Sequence, residues 1–254
     1  MVDGLVSIIM PSWNTGRFIA ESIQSVINQT YKRWELIIVD DCSTDNTDEV
    51  VASFKDDRIK YFHNEKNSGA AVTRNKAIHE ANGEWIAFLD SDDLWAPEKL
   101  EKQLEFMNSH GYVFSYHDYV KIDEESKPLN VYVTGPEVVT KSKMYNYGYP
   151  GCLTFMYSAK AMGLIQIKDI KKNNDYAVLL KLCKKADCYL LKENLAQYRI
   201  RKKSISHDKI TKKLKSHYDL FHYCDEQIAP VAFWYACWNM WYGLMKKREY
   251  EKRI

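Results

Sequence analysis

The first hundred residues alternate strand-like and helix-like runs, and this alternation limits the fold more than any other feature of the chain. Apolar runs typical of buried strands occupy residues 6–10, 36–39, 59–62 and 85–89. Amphipathic helical patterns lie between them, at residues 18–27, 45–54 and 70–81. Pro97 suits the first turn of a further helix. This order predicts an α/β fold, a doubly wound and mostly parallel sheet with helices on both faces.

The second half of the chain has a different pattern. Strand-like runs cover residues 112–122 and 129–134, a helical run covers 174–186, and one or two strands lie within 188–199. From about residue 208 onward the sequence is helical and rich in aromatic side chains. Because no repeat or obvious flexible linker separates the halves, we expect a small mixed sheet that packs on the first half, followed by C-terminal helices.

The overall composition argues against several functional classes. A net charge of +2 gives no general bias towards nucleic acid. The six cysteines contain no CxxC pair, so we expect reduced thiols in a cytoplasmic protein and no zinc site. The N-terminus lacks a signal-peptide pattern, and no stretch reaches the apolar length that spans a bilayer.

Polar loops follow each of the four predicted strands. Their sequences are PSWN, DDCSTDNT, NEKNSG and DSDD, in chain order. In a doubly wound sheet, ligands bind at the carboxyl ends of the strands. We therefore expect one cleft that all four loops line.

The DSDD loop carries the strongest chemical signal. Closely spaced carboxylates on Asp90, Asp92 and Asp93 suit a hard divalent cation, Mg²⁺ or Mn²⁺, that also binds a diphosphate. The alternative is a solvated helix start, where aspartates are favoured by capping and by the helix dipole. The three together favour the cation, whereas Asp93 alone is equally consistent with a helix-start acid.

Three other residues have both functional and purely structural interpretations. Asp41 could accept a hydrogen bond from a base or ribose, although the polar residues after it can cap the next helix. Arg74 presents a planar fork of donors that suits phosphate, or it is a surface arginine. Asp175 begins a predicted helix, either as a cap or as a general base for a hydroxyl nucleophile.

A basic loop, YRIRKKSIS at residues 198–206, follows the last predicted strand. Its cations could close over phosphate groups. A solvated charged loop is the alternative, and the loop by itself does not decide between them.

Five segments, taken in order, resemble the family 2 glycosyltransferases of the GT-A fold. They are VSIIMPSWN, QTYKRWELIIVDDCSTDNT, NSGAAVTRNKA, GEWIAFLDSDD and YRIRKKSIS. The resemblance covers most of the chain, from about residue 6 to 206. It implies a Rossmann-like sheet and an enzyme that transfers a sugar from a nucleotide diphosphate sugar, usually with inversion at the anomeric carbon.

On this resemblance, the donor nucleotide is bound by residues of the first three loops. Pro11 and Trp13 would line the base pocket, with Trp13 stacked on uracil. Asp41 would accept a hydrogen bond from the base, and Arg74 would hold the base or the diphosphate. Arg199 would add positive charge from the basic loop.

The same resemblance assigns the metal and the catalytic base. Asp92 would be the main protein ligand of Mn²⁺ or Mg²⁺, and Asp90 would bind the ribose or the water shell of the metal. Asp175 would be the base that deprotonates the acceptor hydroxyl.

The chain departs from the family pattern at two positions. Asn174 stands where the family often has a glutamate before the base. Arg201 stands where the family often has a histidine that contacts metal or diphosphate. Arg201 could neutralise phosphate directly, or His207 could replace the missing histidine as a metal contact. The strength of metal dependence therefore stays open.

The resemblance also suggests a division of the chain. Residues 1–207 would form the catalytic domain, with a nucleotide-binding half at 1–110 and an acceptor-side half at 111–207, and 208–254 a separate aromatic helical segment. Its tryptophans, tyrosines and basic residues suit peripheral attachment to the cytoplasmic face of a membrane. The alternative is packing on the catalytic domain or on a second subunit as a homodimer.

The resemblance favours a hexosyltransferase that uses a UDP-hexose or UDP-N-acetylhexosamine and a glycan or lipid-linked acceptor in bacterial surface polysaccharide synthesis. A catalytically impaired partner subunit that binds nucleotide sugars is an alternative, supported only by Asn174. A phosphohydrolase with an Asp-x-Asp nucleophile is less consistent, because that motif usually follows the first strand and here it follows the fourth.

Overall fold

The computed structural model describes residues 1–201 and 210–253, apart from the side chains of residues 247 and 248. The strands of this part of the chain are β1 Val2–Ser12, β2 Trp34–Asp40, β3 Ile59–His63, β4 Gly83–Phe88, β5 Leu94–Trp95, β6 Phe114–Ile122, β7 Pro128–Val133, β8 Val138–Val139, β9 Met156–Ser158, β10 Cys188–Arg199 and β11 Glu251–Arg253. Its α-helices are α1 Ile19–Ile27, α2 Thr47–Ser53, α3 Ala70–His79, α4 Lys99–His110, α5 Lys141–Asn146, α6 Ala159–Met162, α7 Asn174–Cys183, α8 Ile210–Asp219 and α9 Ala229–Tyr250. A 3-10 turn covers Cys152–Thr154, and a π-helical turn covers Leu220–Cys224.

The first half of the chain forms a parallel sheet in the order β4-β1-β2-β3. The register places Ser12 opposite Asp40, and Asp40 opposite His63. The carboxyl ends of β1, β2 and β3 are therefore level, and the loops after these strands and after β4 meet at one edge. The predicted α/β class with a mostly parallel sheet is confirmed.

Strands of the second half extend the same sheet. β9 runs antiparallel to both β4 and β6, and β7 and β11 continue the sheet beyond β6. β10 lies parallel to β6 and also pairs with the short β5 and β8. The small mixed sheet predicted for this half is thus continuous with the parallel sheet.

Helices cover both faces of the sheet, as predicted. Ile8 and Met10 of β1 are fully buried in a cluster with Ile23 of α1, whereas Ile9 is fully buried on the other face with Ile78 of α3. Removing each such side chain from water stabilises the fold by about 1.5–3 kcal/mol. Because alternate side chains of β1 point to opposite faces, the strand packs against helices on both faces of the sheet. This packing fixes the position of the loops at the carboxyl edge.

The start of α4 differs slightly from the prediction. Glu98 is the N-cap and the helix begins at Lys99, so Pro97 lies just before the helix and not in its first turn. The Pro97 carbonyl accepts a hydrogen bond from the Thr30 amide at 2.8 Å.

The C-terminal segment packs on the earlier part of the chain. Asn239 of α9 is buried and donates to the Tyr176 hydroxyl at 2.6 Å and to the Asn146 carbonyl at 3.0 Å. After α9, β11 pairs antiparallel with β7, with Glu251 opposite Val133. The boundary predicted at residue 207 falls outside the described residues and stays a prediction. Within the described range, none of the helices combines the length and apolarity that crossing a membrane requires.

Candidate active site

A cleft of about 540 Å³ opens at the carboxyl edge of the parallel sheet, and we call it the central cleft. It brings together most of the predicted site residues, namely Pro11, Trp13, Asp41, Arg74, Asp90, Asp92, Asp175, Arg199 and Arg201. Residues of the loop before α7, including Lys171 and Asn173, also line it. His207 lies outside the described residues, so its predicted metal contact stays a prediction.

Trp13 stands at the end of β1 with 53% of its surface exposed. The loop behind it is held by hydrogen bonds from the Asn14 amide to Ser43 Oγ at 2.8 Å and from the Thr44 amide to Asn14 Oδ1 at 2.7 Å. Aromatic side chains commonly line ligand pockets, where they pack against flat rings. This arrangement suits the predicted stacking of Trp13 on a base.

Asp41 follows β2, and its carboxylate holds the loop after β3. It accepts hydrogen bonds from the amides of Ser68 and Gly69, both at 2.7 Å, and from Asn64 Nδ2 at 2.7 Å. Gly69 has a φ of 85°, a conformation that favours glycine. Asp41 therefore shapes the wall of the cleft, in addition to any contact with a ligand.

Arg74 of α3 is 3% exposed and donates from Nη2 to Asp90 Oδ1 at 2.8 Å. Its Nε and Nη1 atoms are buried without a hydrogen-bond partner among the described residues. Unpaired buried donors are costly, and a guanidinium is suited to oxyanions. Arg74 is thus a prepared donor for an anionic ligand in the cleft.

Asp92 pairs with the arginine that distinguishes this chain from the family pattern. Arg201 Nε lies 2.9 Å from Asp92 Oδ2. Burial raises the pKa of Asp92, Arg201 opposes that shift, and the Asp90 carboxylate adds to it. Each of the two outer aspartates of DSD, Asp90 and Asp92, therefore already has an arginine partner.

Asp93 is buried and links two loops by a hydrogen bond, and it does not lie at the start of a helix. It is 1% exposed and accepts a hydrogen bond from the Arg199 amide at 2.8 Å. Burial and the neighbouring carboxylates of Asp92 and Asp90 raise its pKa well above the usual range. The DSDD loop is in this way joined to the end of β10.

The Arg199 side chain is engaged by protein groups. Its Nε donates to the Asp92 carbonyl at 2.7 Å, Nη1 donates to Ser126 Oγ at 2.8 Å, and Nη2 donates to Glu21 Oε2 at 2.9 Å. With a side chain that is 0% exposed, Arg199 positions the loop that carries Arg201. Arg201, whose side chain is 31% exposed, is the better placed of the two to reach phosphate.

Asp175 lies in the first turn of α7, after Asn173 in a left-handed conformation. Burial raises the pKa of Asp175, the nearby Arg74 opposes that shift, and the Asp90 carboxylate adds to it. A carboxylate whose pKa is raised towards neutrality is a more effective proton acceptor.

Asp90 and Asp92 are chemically suited to a divalent cation. The side chain of Asp90 remains 35% exposed after it pairs with Arg74, and both residues line the cleft. Mg²⁺ is commonly held by one or two carboxylates, while water and substrate phosphate complete its oxygen shell. The two carboxylates therefore fit Mg²⁺ or Mn²⁺ shared with a bound diphosphate.

A different group of polar side chains lies where β2 and β3 end and α2 begins. Ligand atoms of Asp40, Asp48 and His63 are within 4.8 Å of one another. Asp48 and His63 are exposed, and Asp40 already accepts hydrogen bonds from the amide and hydroxyl of Ser43. Nothing beyond the grouping itself points to a ligand there.

Cys152 belongs to the site although the sequence analysis assigned it no role. Its Sγ lies 3.5 Å from Arg74 Nη2 and 3.9 Å from Asp90 Oδ1. Burial and the Asp90 carboxylate raise the pKa of this thiol well above its usual value. A lone cysteine at the start of an apolar run carries no sequence signal, because only the fold brings it to α3 and β4.

Residues 7–162 match the family model described as "Glycosyl transferase family 2". The chain belongs to this family. The resemblance inferred from the five segments is confirmed, and the chain is a glycosyltransferase.

Relatives and solved structures agree with this assignment. The Bacillus subtilis glycosyltransferase TuaG, named for teichuronic acid biosynthesis, is 43% identical over 208 residues, which cover 81% of this chain and 82% of TuaG. The Escherichia coli glucosyltransferase WfgD is 38% identical over 222 residues, covering 87% and 86% of the two chains. S. aureus TarS, solved in complex with UDP-GlcNAc, superposes with a TM-score of 0.73 at 20% identity, covering 92% of this chain and 71% of that one. The TarS likeness shows the shared fold.

Proposed function

We propose that this family 2 glycosyltransferase transfers a hexose or N-acetylhexosamine from a UDP-sugar to a hydroxyl group of a glycan or lipid-linked acceptor, with inversion at the anomeric carbon. The observation that carries the proposal is the convergence of Asp175 with the Arg74–Asp90 pair in one cleft that has Trp13 beside it. A proton acceptor, an anion site and an aromatic surface for a base are the parts that such a transfer needs.

The donor is positioned by the loops of the parallel sheet. Trp13 would stack on the base, while Arg74 and Arg201 would face the diphosphate. Binding of phosphate to Arg74 would satisfy its two unpaired nitrogens, which are buried. When bound by Asp92 and Asp90, Mn²⁺ or Mg²⁺ would neutralise charge on the departing diphosphate.

Asp175 supplies the base. Its carboxylate would take the proton of the acceptor hydroxyl as that oxygen forms a bond to the anomeric carbon. The bond between this carbon and the diphosphate oxygen breaks, and the nucleoside diphosphate leaves with the bonding electrons. Attack from the face opposite the leaving group inverts the configuration in a single displacement.

The names of the relatives support the substrate classes. WfgD is described as using UDP-Glc and an acceptor, GlcNAc-diphosphoundecaprenol, in which the sugar is carried by a lipid diphosphate. TuaG is named for teichuronic acid biosynthesis, and TarS was solved with UDP-GlcNAc. On the strength of these names we propose that this chain uses a UDP-sugar donor and a lipid-linked acceptor and acts in surface polysaccharide synthesis.

Peripheral attachment to the cytoplasmic face of a membrane is part of the proposal. The outer side of α9 exposes Phe233, Trp234, Trp241, Leu244 and Met245, each by more than half of its surface. Lys252 and Arg253 of β11 are exposed just beyond the end of this helix. Aromatic side chains favour the membrane interface and basic ones favour anionic lipid, so we name an anionic lipid surface as the partner of this face.

Flotation with vesicles of phosphatidylcholine, with and without phosphatidylglycerol, tests the attachment. We expect binding that requires phosphatidylglycerol and is lost in a Trp234→Ser, Trp241→Ser double variant. Absence of vesicle binding, together with a dimer in light scattering that the same variant dissociates, would assign the face to a second copy of the chain.

The activity is tested with a panel of UDP-, GDP- and dTDP-sugars and Mn²⁺ or Mg²⁺. We expect slow hydrolysis of one UDP-sugar to UDP, and faster turnover when a lipid-linked sugar acceptor is added. Nucleotide binding without turnover would instead indicate a partner subunit. Release of inorganic phosphate from phosphomonoesters would indicate a phosphohydrolase.

A further inference from the structure

A second pocket, of about 270 Å³, adjoins the central cleft on the side of the C-terminal segment, and we call it the tyrosine pocket. Three residues, Asp90, Asp175 and Tyr198, line both spaces. A group in the tyrosine pocket would therefore lie next to the proposed base.

The walls of the tyrosine pocket are aromatic. They include Tyr119, Tyr147, Tyr149, Tyr198 and Tyr250. Rings meet edge to face, with centroid distances of 5.4 Å between Tyr147 and Tyr149 and 5.8 Å between Tyr149 and Tyr250. Such walls pack against the C–H faces of a ring, while the phenol hydroxyls can bond to its hydroxyl groups.

The charges of the tyrosine pocket differ from those of the central cleft. Among the described residues that line it, the carboxylates are Asp90, Asp175 and Glu251, and the ammonium group is Lys246. The described lining of the central cleft has three arginines and two lysines against four carboxylates, so its positive charges outnumber its negative ones. A phosphate would be repelled from the tyrosine pocket, whereas a neutral polyhydroxyl ring would not. The volume also lies just under the range of about 300–1,000 Å³ typical of pockets for larger ligands.

The end of the chain builds one wall. Lys246 lies over the Tyr250 ring at 4.7 Å, and the Tyr250 carbonyl accepts a hydrogen bond from the Thr134 amide at 3.0 Å. Glu251 begins β11 and is bridged at 2.8 Å by Lys121 Nζ of β6. The last turn of α9 is therefore tied to the sheet beside the pocket.

Gly243 of α9 lies close to the ring of Tyr147, which lines the tyrosine pocket. A glycine inside a helix costs about 0.5–1 kcal/mol relative to alanine. A Cβ atom at this position would lie 3.1 Å from Cε2 of Tyr147. A side chain at this position would displace the Tyr147 ring by a few tenths of an ångström.

We propose that the tyrosine pocket is the subsite for the neutral pyranose ring that carries the accepting hydroxyl, and that the end of α9 and the start of β11 are part of it. The proposal rests on the transferase function proposed above. It makes the C-terminal segment a determinant of acceptor specificity as well as a packing element.

Binding is tested directly in the full-length protein by saturation-transfer NMR, with UDP and Mg²⁺ added in excess to occupy the central cleft. The probes are the methyl α-glycosides of GlcNAc, glucose, galactose and mannose. We expect transfer to at least one of them in the wild type and its loss in Tyr250→Ala. Tyr223→Ala, which changes an exposed tyrosine that is not among the residues lining the pocket, serves as the matched control.

Turnover supplies the second readout, with a short-chain lipid diphosphate of α-GlcNAc as acceptor. Tyr250→Ala should raise the acceptor KM at least tenfold and Gly243→Ala should raise it less, while UDP affinity and slow donor hydrolysis stay within twofold of wild type. Preserved UDP affinity also shows that the variants are folded. Glycoside signals or acceptor KM values that neither variant alters would overturn the subsite. Failure of the transferase proposal looks different, because the wild type itself would then turn over no UDP-sugar.

Discussion

Arg74 donates to Asp90 across 2.8 Å, and Asp90 lines both the central cleft and the tyrosine pocket. The pair therefore joins the proposed donor and acceptor sides of the site. Because Arg74 is 3% exposed and keeps two nitrogens unpaired among the described residues, it is poised for a ligand and not satisfied by the fold alone.

Replacing Arg74 by lysine tests whether donor binding needs the planar guanidinium or only a positive charge. Lysine keeps the cation but loses the planar fork that holds Asp90 and an oxyanion together. We expect Arg74→Lys to weaken UDP binding at least tenfold, measured by calorimetry. Arg17→Lys, at a largely exposed arginine, should leave it unchanged. Equal affinities for both variants would remove Arg74 from the donor site.

Asp175→Asn should abolish the base and preserve donor binding. General-base assistance is worth about 10²–10⁴-fold in rate, so we expect kcat to fall by at least that order. Calorimetry should show UDP affinity close to wild type. The control is Asp169→Asn, which alters an exposed aspartate nearby in the sequence. Turnover near the wild-type rate in Asp175→Asn would require a different base.

The pH profile should report the same group. Burial, with a contribution from Asp90, raises the pKa of Asp175 above 3.8, and the base works only when it is deprotonated. Activity should therefore fall as the pH drops through this raised pKa, giving an acid limb in kcat/KM above that of a free aspartate. The residual activity of Asp175→Asn should lack this limb, and an identical limb in the variant would contradict the assignment.

Asp92→Ala should reduce the dependence of nucleotide binding on metal. We expect Mn²⁺ to strengthen UDP binding in the wild type and to have little effect in the variant, because a main metal ligand is lost. Titrations without metal provide the baseline for each protein. Unchanged Mn²⁺-dependent affinity in Asp92→Ala would refute the metal assignment and leave Arg201 as the principal cation near this position.

Lys99 offers a prediction about stability. It is fully buried over the Trp95 ring, at 3.9 Å, and its Nζ has no hydrogen-bond partner among the described residues. Burial lowers the pKa of Lys99 well below 10.5. Below that lowered pKa the Lys99 side chain is charged while buried in the folded protein, which costs free energy. In the unfolded chain the same charge is in water and carries no such cost.

The stability conferred by Lys99 should therefore rise as the pH increases from the lowered pKa towards 10.5. Lys99→Met should raise the free energy of unfolding at pH 7, by about 1.4 kcal/mol or more since each pKa unit is worth that amount, and by less at pH 9.5. Urea denaturation at both pH values checks this, with the more exposed Lys102→Met on the same helix as control. A loss of stability in Lys99→Met at pH 7 would show that the charge is compensated.

Much of the fold was predictable because side-chain periodicity reports burial directly. The apolar run at residues 6–10 lies inside β1, and the run at 59–62 lies inside β3. Parallel pairing then places the ends of neighbouring strands level, so a cleft lined by their loops follows from the order of elements alone. The central cleft contains residues from all four predicted loops.

Roles that depend on distant partners were not predictable. The sequence left Asp93 open between a cation ligand and a helix-start acid, yet it accepts a hydrogen bond from the Arg199 amide 106 positions later. Arg199 looked like a phosphate ligand, yet Glu21, 178 positions earlier, pairs with its guanidinium. No local pattern records such contacts, since they arise only when β10 is laid beside the other elements.

The sequence by itself determined the α/β class, the family and the cluster of carboxylates and cations at one sheet edge, because local periodicity and ordered motifs carry that information. Only the tertiary structure decided which charges are paired and which stay available. It also decided that β11 pairs with β7 and contributes Glu251 to the lining of a pocket beside Asp175. The physical reason is that ion pairs and pocket walls form between residues far apart in the sequence. Their sequence separation does not indicate how close they lie in the folded protein.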